Sequence, residues 1–538
     1  MEKQNIVSFE EEQNAMLQEK IQTAVVSVNL STKSPLLDKV RQKFEITGLV
    51  SLIFGAFFTL SFYKAGTGIN VIFFTTVMIS ILELVMKKFE LPMKKGTYLY
   101  YLGALLAGLS SAMTSSGKLQ SINYILSICL LNLSLLHQLH QVSGWDIQKY
   151  LGKMFGMLFQ GIASIGMPFI DGIGFMKRTK LFRNDKTRNI LVGVLISLPI
   201  LWILIALLSQ ADMIFGDMTK KFTDHIFSAD IIEVLILALF GFFSCYCILC
   251  GAAAQVGRED KLRRKGASSI AVTVILLITL LYVIFCGLQI MYLFSNGLFS
   301  LPEGYTFAEY ARRGFFELLA VAVINVTLML IATTYFEEST LLRRLLTLMT
   351  ICTYIMIGSA GYRMLLYIGA YHLTFLRMFV LLALVILTFI LAGIIITVYR
   401  KSFPLFRYCV AVITVCYLAF AFSTPDYFIA SYLKENKEIL TSEDAAFLTE
   451  ELSLDAAPIV LPLLSDESRW NDTSVQYKSV PGFNEESWME SFQSVDYYGR
   501  TYYEDISRVN KNRDIRDYNF SLAKAKKLTG IYPSMFGK

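Results

Sequence analysis

The chain has 538 residues, of which 54% are hydrophobic and only 17% charged, with a net charge of +6 and a mean hydropathy of +0.52. A soluble domain carries roughly 25% charged residues, and here the apolar residues come in blocks of about 20, the length of a bilayer-spanning helix. These numbers exclude an ordinary soluble globule and predict an all-α, polytopic transmembrane helical bundle.

The net charge hides a split. From Asp426 onward the chain holds 13 Lys+Arg against 19 Asp+Glu, and everything earlier holds 36 against 24. An acidic tail on a basic membrane body points to two compartments and to anionic lipids around the body, and it argues against nucleic acid. All eight cysteines lie in or beside apolar runs, so the tail has no disulfide framework. Cys245, Cys247 and Cys250 do not share a helix face and have no His or carboxylate neighbours, which makes them packing residues rather than metal ligands.

Residues 1–44 form a polar, acid-rich arm without signal-peptide features, expected to be cytoplasmic and partly disordered. A multi-span domain over 45–424 follows, with eleven candidate spans at 46–64, 69–86, 97–114, 119–138, 189–209, 231–254, 268–292, 314–335, 345–366, 373–398 and 406–424. With the N-terminus inside, the inner loops hold 22 Lys/Arg and the outer loops eight, a bias that orients the chain N-in and C-out. Glu83 and Lys87 are spaced for an i, i+4 pair. His137 and His140 read as snorkelling polar ends of the fourth span.

Between the fourth and fifth spans, residues 145–188 are rich in Met, Phe and Gly and predict an interfacial amphipathic helix or a re-entrant hairpin. Lys177, Arg178, Lys180 and Arg183 follow as a basic segment suited to anionic headgroups. The outer loop 209–230 reads as a surface-lying helix. A lone His225 beside Asp224 and Asp217 is too generic for a metal site.

Residues 303–319, EGYTFAEYARRGFFELL, carry charges into an apolar run. Thr306 and Glu309 make a capping box, and Glu309, Arg313 and Glu317 fall at i, i+4, i+8, with Arg312 flanking them. Ionisable groups entering a membrane pair or serve a pathway. Arg363, His372 and Arg377 fall near the same outer face. Pairing of Glu317 with Arg363 or Arg377 is expected, the surplus positive charge either forming an anion pocket or merely locking three helices.

The tail, 425–538, predicts a small helical extracytoplasmic domain: two short helices up to Leu464, an aromatic core from Trp470, Trp488, Tyr497, Tyr498, Tyr502 and Tyr503, and a last amphipathic helix from Arg513 to Leu528. The sequence contains no catalytic constellation, cofactor motif or metal-ligand spacing.

The stretches EGYTFAEYARRGFFELLAVA, GYRMLLYIGAYHLTFLRMFVLLAL, TPDYFIASYLKEN and RDYNFSLAKAKKL resemble a bacterial polytopic membrane family known only as a domain of unknown function, DUF4173, related to DUF4153. The resemblance implies residence in the bacterial cytoplasmic membrane and no activity or site residues. The residues themselves favour a non-enzymatic scaffold or envelope sensor with a protein partner at the C-terminal domain. A transporter or lipid-handling protein using the outer Arg/Glu cluster is the alternative. A lipid-linked glycosyltransferase ranks last, because the first outer loop, 63–68, has no acidic residue.

Overall fold

A computed structural model describes residues 34–141, 145–178, 229–256, 265–294, 315–470, 495–511 and 513–532, with scattered positions between 190 and 218. The first helix, α1 (Pro35–Gln42), opens on a proline, whose missing N–H costs nothing in a first turn. Next come α2 (Phe44–Phe62), α3 (Ile69–Lys88), α4 (Thr97–Met113), α5 (Gly117–Leu139) and the pair α6 (Ile147–Ala163) and α7 (Met167–Arg178). The body continues with α8 (Ala229–Ala254), α9 (Ser268–Phe294), α10 (Phe315–Tyr335), α11 (Thr340–Tyr371), α12 (Phe375–Tyr399) and α13 (Leu405–Phe422). Side chains set several starts: Ser339 accepts from the Leu342 amide at α11, and Thr374 accepts from the Arg377 amide at α12.

Nine helices among the described residues are long and apolar enough to cross a membrane, or ten if the bent pair α6–α7 is one span. The fold is a helical bundle of a multi-pass membrane protein. Of the eleven spans expected, 97–114 is the 17-residue α4, about 25 Å long at 1.5 Å per residue, which is shorter than a typical hydrocarbon core. The segment 189–209 lies largely outside the described residues. The bent pair, with 57° between its halves, leaves and returns at one end of the bundle. Tyr150 of α6 stacks on Phe406 in the first turn of α13, and Phe175 of α7 meets Phe44 in the first turn of α2.

Alternating helix direction sorts the connections onto two ends. One end, here the basic end, carries Lys87, Lys88, Lys94, Lys95, Lys149, Arg343, Arg344, Arg400, Lys401 and Arg407. The other carries the α2–α3, α4–α5 and α11–α12 connections, and there Lys64 pairs with Asp230 at the start of α8. Helices α1–α8 share a core including Phe54, Leu82, Tyr101, Leu131 and Tyr246, and α9–α13 share a second around Met329, Met349, Ala360 and Leu391. Helix α13 bridges the two, with Tyr417 Oη donating to Asn123 Oδ1 of α5 at 2.9 Å.

Lipid is as apolar as leucine, so helices in a bilayer associate through close backbone approach and polar contacts. Gly55 and Gly251 do this here: a Cβ on Gly55 would lie 2.4 Å from the Ala238 carbonyl, and one on Gly251 2.3 Å from the Met157 carbonyl. Conversely, Leu277, Leu281, Ile284 and Leu288 line one exposed face of α9. That stripe is at home against acyl chains.

Beyond α13 the chain forms a helical module at the end opposite the basic one. It comprises α14 (Pro425–Asn436), α15 (Ser442–Ala446), a 3-10 turn Leu454–Ala456, α16 (Ala457–Leu464), α17 (Val495–Lys511), a 3-10 turn Ile515–Asp517 and α18 (Phe520–Ile531). Its core gathers Ile429, Leu448, Val460, Leu461, Tyr502 and Ile506. The last helix starts at Phe520 and not Arg513, because the Asn519 side chain accepts from the Ser521 and Leu522 amides and caps it there. Trp488 lies outside the described residues, and Tyr497 is exposed rather than in the core.

Candidate functional site

The charged cluster read from the sequence is only partly within the described residues. Glu309, Arg312 and Arg313 lie outside them, as do Lys180, Arg183 and the side chain of Lys177. Arg178 donates to the Gln42 carbonyl at the end of α1, tying α7 to it. Glu317 is exposed in the first turn of α10. No ion pair joins Glu317 to Arg363 or Arg377, or Glu83 to Lys87, among the described residues. Arg377 instead donates to the Tyr371 carbonyl at 2.8 Å and to that of His372, and lies 4.2 Å from the Tyr367 ring centroid. A guanidinium there closes the C-terminal end of α11, where the helix dipole favours a cation. His372 is the cap residue, at φ 72°. Arg363 is half-buried further down α11. Between α10, α11 and α12 a cavity of about 200 Å³ is lined by Phe315, Met364, Tyr367 and Arg377.

The densest polar contact lies between the module and the spans. Asp455, only 7% exposed, accepts from Thr114 Oγ1 at 2.5 Å, from the Ser115 amide and hydroxyl at 2.7 Å each, and from Ser521 Oγ at 2.5 Å. The carboxylate therefore joins the α4–α5 connection, the turn before α16 and the first turn of α18. Asn519 adds donors to the Thr114 and Ser111 carbonyls at 2.8 and 3.3 Å. Alongside, the Ile69 amide donates to the Tyr518 carbonyl at 2.9 Å, the Gly66 amide to Asp517 at 3.2 Å, and Arg516 to the Leu60 carbonyl at 2.8 Å. Gly68 makes the approach possible, since a Cβ there would sit 2.4 Å from the Tyr518 carbonyl.

A second carboxylate lies behind the first. Asp426, 3% exposed at the start of α14, accepts from Ser453 Oγ at 2.6 Å and from the Ser453 amide at 3.3 Å. Burial, and then the charge of Asp455, hold its pKa above the ordinary carboxylate value. The buried Tyr502 hydroxyl has no hydrogen-bond partner among the described residues. Burial and the two carboxylates push its pKa up. No cation bonds Asp426 or Asp455 among the described residues, so hydroxyls and amides alone solvate this pair. Such a site can hold a contact closed, and its Asp426 end can respond to protonation.

Asp426, Asp455 and Asn519 are not among the candidate residues that the sequence patterns pick out. Asp455 carried a usable signal, a lone carboxylate in the otherwise apolar run from Leu452 to Leu464. An acid in such a run must find buried donors. Their location in the 114–116 connection, some 340 residues away, was not readable.

The family model described as Domain of unknown function (DUF4153) matches residues 101–463, two thirds of the chain. The chain belongs to the DUF4153 family. DUF4153 is the second of the two related families that the sequence resembles. Within the DUF4153 region fall Thr114, Ser115, Asp426 and Asp455, while α17, α18 and Asn519 lie beyond it. No curated protein and no solved structure matches the chain.

Proposed function

We propose that this DUF4153 protein is a non-enzymatic scaffold or sensor of the bacterial cytoplasmic membrane, which engages an envelope partner through its C-terminal module. The observation that carries the reading is the junction at Asp455. A partner that displaces α16 or α18 also acts on α4 and α5, because close-packed, hydrogen-bonded contacts transmit a displacement. Charge supports the sidedness: basic connections favour the cytoplasm, which leaves the module outside.

An Ile439→Cys variant places a thiol at a position 58% exposed on the module, and it is expected to react with an impermeant maleimide in intact cells. Reaction only after lysis would overturn the reading. A photo-crosslinker at Ile439 is expected to capture a discrete envelope protein. If its adducts match those from lipid-facing Leu277, the partner-binding claim is lost.

The cavity beside Arg377 favours a second reading, lipid handling or anion transport at that face. Its test is Arg377→Ala, which should then abolish ligand retention while leaving the crosslinked partner unchanged.

A further inference from the structure

At the basic end, two cations meet on either side of His137. Lys94 Nζ, in the α3–α4 connection, donates to the His137 and His140 carbonyls at 2.9 and 2.7 Å. Arg407, in the first turn of α13, approaches from the ring side, with Nη2 at 3.5 Å from His137 Nδ1 and Nε at 3.4 Å from the Tyr150 hydroxyl. A guanidinium has donors only, so Nδ1 is the acceptor and the imidazole proton sits on Nε2. That nitrogen packs on the backbone, where a Cβ at Gly96 would come within 2.7 Å of it. Tyr150 is held by the Phe406 ring, stacked at 4.0 Å, and by the edge of Trp145.

Among the described residues no carboxylate bonds Lys94 or Arg407. Elsewhere Arg41 bonds Asp171, Arg343 and Lys401 share Glu338, and Lys437 bonds Asp444. Neither Lys94 nor Arg407 makes an ion pair among the described residues. The two contacts of Arg407 are at the long limit of hydrogen bonding, and the helix dipole opposes a cation in a first turn. Burial, and then the Arg407 charge, pull the pKa of Lys94 below the ordinary lysine value. Two half-buried cations that repel one another in this way are stabilised by an anion within reach of both.

We infer that Arg407 and Lys94, oriented by His137 and Tyr150, bind a phosphoryl group at the basic end of the bundle. The guanidinium fork matches two phosphate oxygens, and the ammonium supplies a point charge to a third. The end of α5 and the start of α13 lie where a span meets the headgroup layer, so a phospholipid headgroup and a soluble phosphate compound both reach the site.

The test uses the full chain in nanodiscs of phosphatidylcholine, its thermal unfolding followed during titration with inorganic phosphate against chloride at equal ionic strength. In parallel, native mass spectrometry reads the anionic phospholipid retained in mild detergent. Arg407→Gln is compared with Lys88→Gln, an equal charge change at an exposed lysine. Arg407→Gln is expected to weaken the phosphate response, or to cut lipid retention, by at least about tenfold, with Lys88→Gln close to wild type. A phosphate response identifies a soluble source, and lipid retention without one identifies a headgroup. Equal losses in both variants, or neither signal in the wild type, would overturn the inference. Should Arg407→Gln aggregate, Arg407→Lys keeps the charge and loses the fork, and undiminished binding in that variant would equally overturn it.

Discussion

Replacing Asp455 by alanine should loosen the module from the spans while leaving both folded. Hydrogen bonds to a charged acceptor are each worth about 1.5–3 kcal/mol, and a buried donor left without a partner costs about 1–3 kcal/mol. Asp455 accepts four such bonds. The three hydroxyl donors can rotate towards other acceptors, but the Ser115 amide cannot. Removing the carboxylate also ends its repulsion with Asp426 and its own desolvation, which offsets part of the loss. A net weakening of about 3 kcal/mol is the result, or about 100-fold in the docking equilibrium. Hydrogen exchange in nanodiscs reads this directly, because the Ile69 amide is protected by the Tyr518 carbonyl across the same interface. Exchange at Ile69 and in α18 should rise by about that factor in Asp455→Ala, and by less in Asp455→Asn, which keeps one acceptor oxygen. Unchanged protection at both places would refute the assignment of Asp455 as the tie between module and bundle.

Acidity should steady the start of α14, where Asp426 accepts from Ser453. The folded-state pKa of Asp426 is raised, so its contribution is fully present below the ordinary carboxylate pKa and is lost as pH rises through the raised value. Asp455, Tyr502, Ser116 and Ser453 are the groups that face it. Exchange in α14 should therefore quicken as pH rises across that window, and Asp426→Asn should remove the trend. Gly68→Ala should undock the 515–518 turn, since its Cβ would overlap the Tyr518 carbonyl; retained protection at Ile69 would contradict this. Arg41→Ala would leave Asp171, 7% exposed, without its ion-pair partner. Breaking a buried pair costs about 3–5 kcal/mol, so faster hydrogen exchange in α1 and α7 is expected and unchanged protection there would count against it.

The sequence by itself determined the class and most of the scaffold. Runs such as 268–292 and 373–398 are too long and too apolar for any solution but a span, because a bilayer leaves the backbone no partner except itself. Residues 145–188 read as an interfacial amphipathic helix or a re-entrant hairpin, and their described part is a helix pair bent by 57°. The aromatic face of α17 was readable in principle from Tyr498, Tyr502 and Ile506, spaced at i, i+4, i+8. What only the tertiary structure decided is which polar groups meet. Arg377 was expected to seek Glu317, but the α11 carbonyls lie within reach of the same helix–turn–helix. Asp455 and Thr114 are hundreds of residues apart, as are Arg407 and His137, and no periodicity relates them. Apolar patterning is set by the solvent each segment faces and is local. Polar pairing in a bundle is set by which helix ends the packing brings together, and that depends on the whole chain.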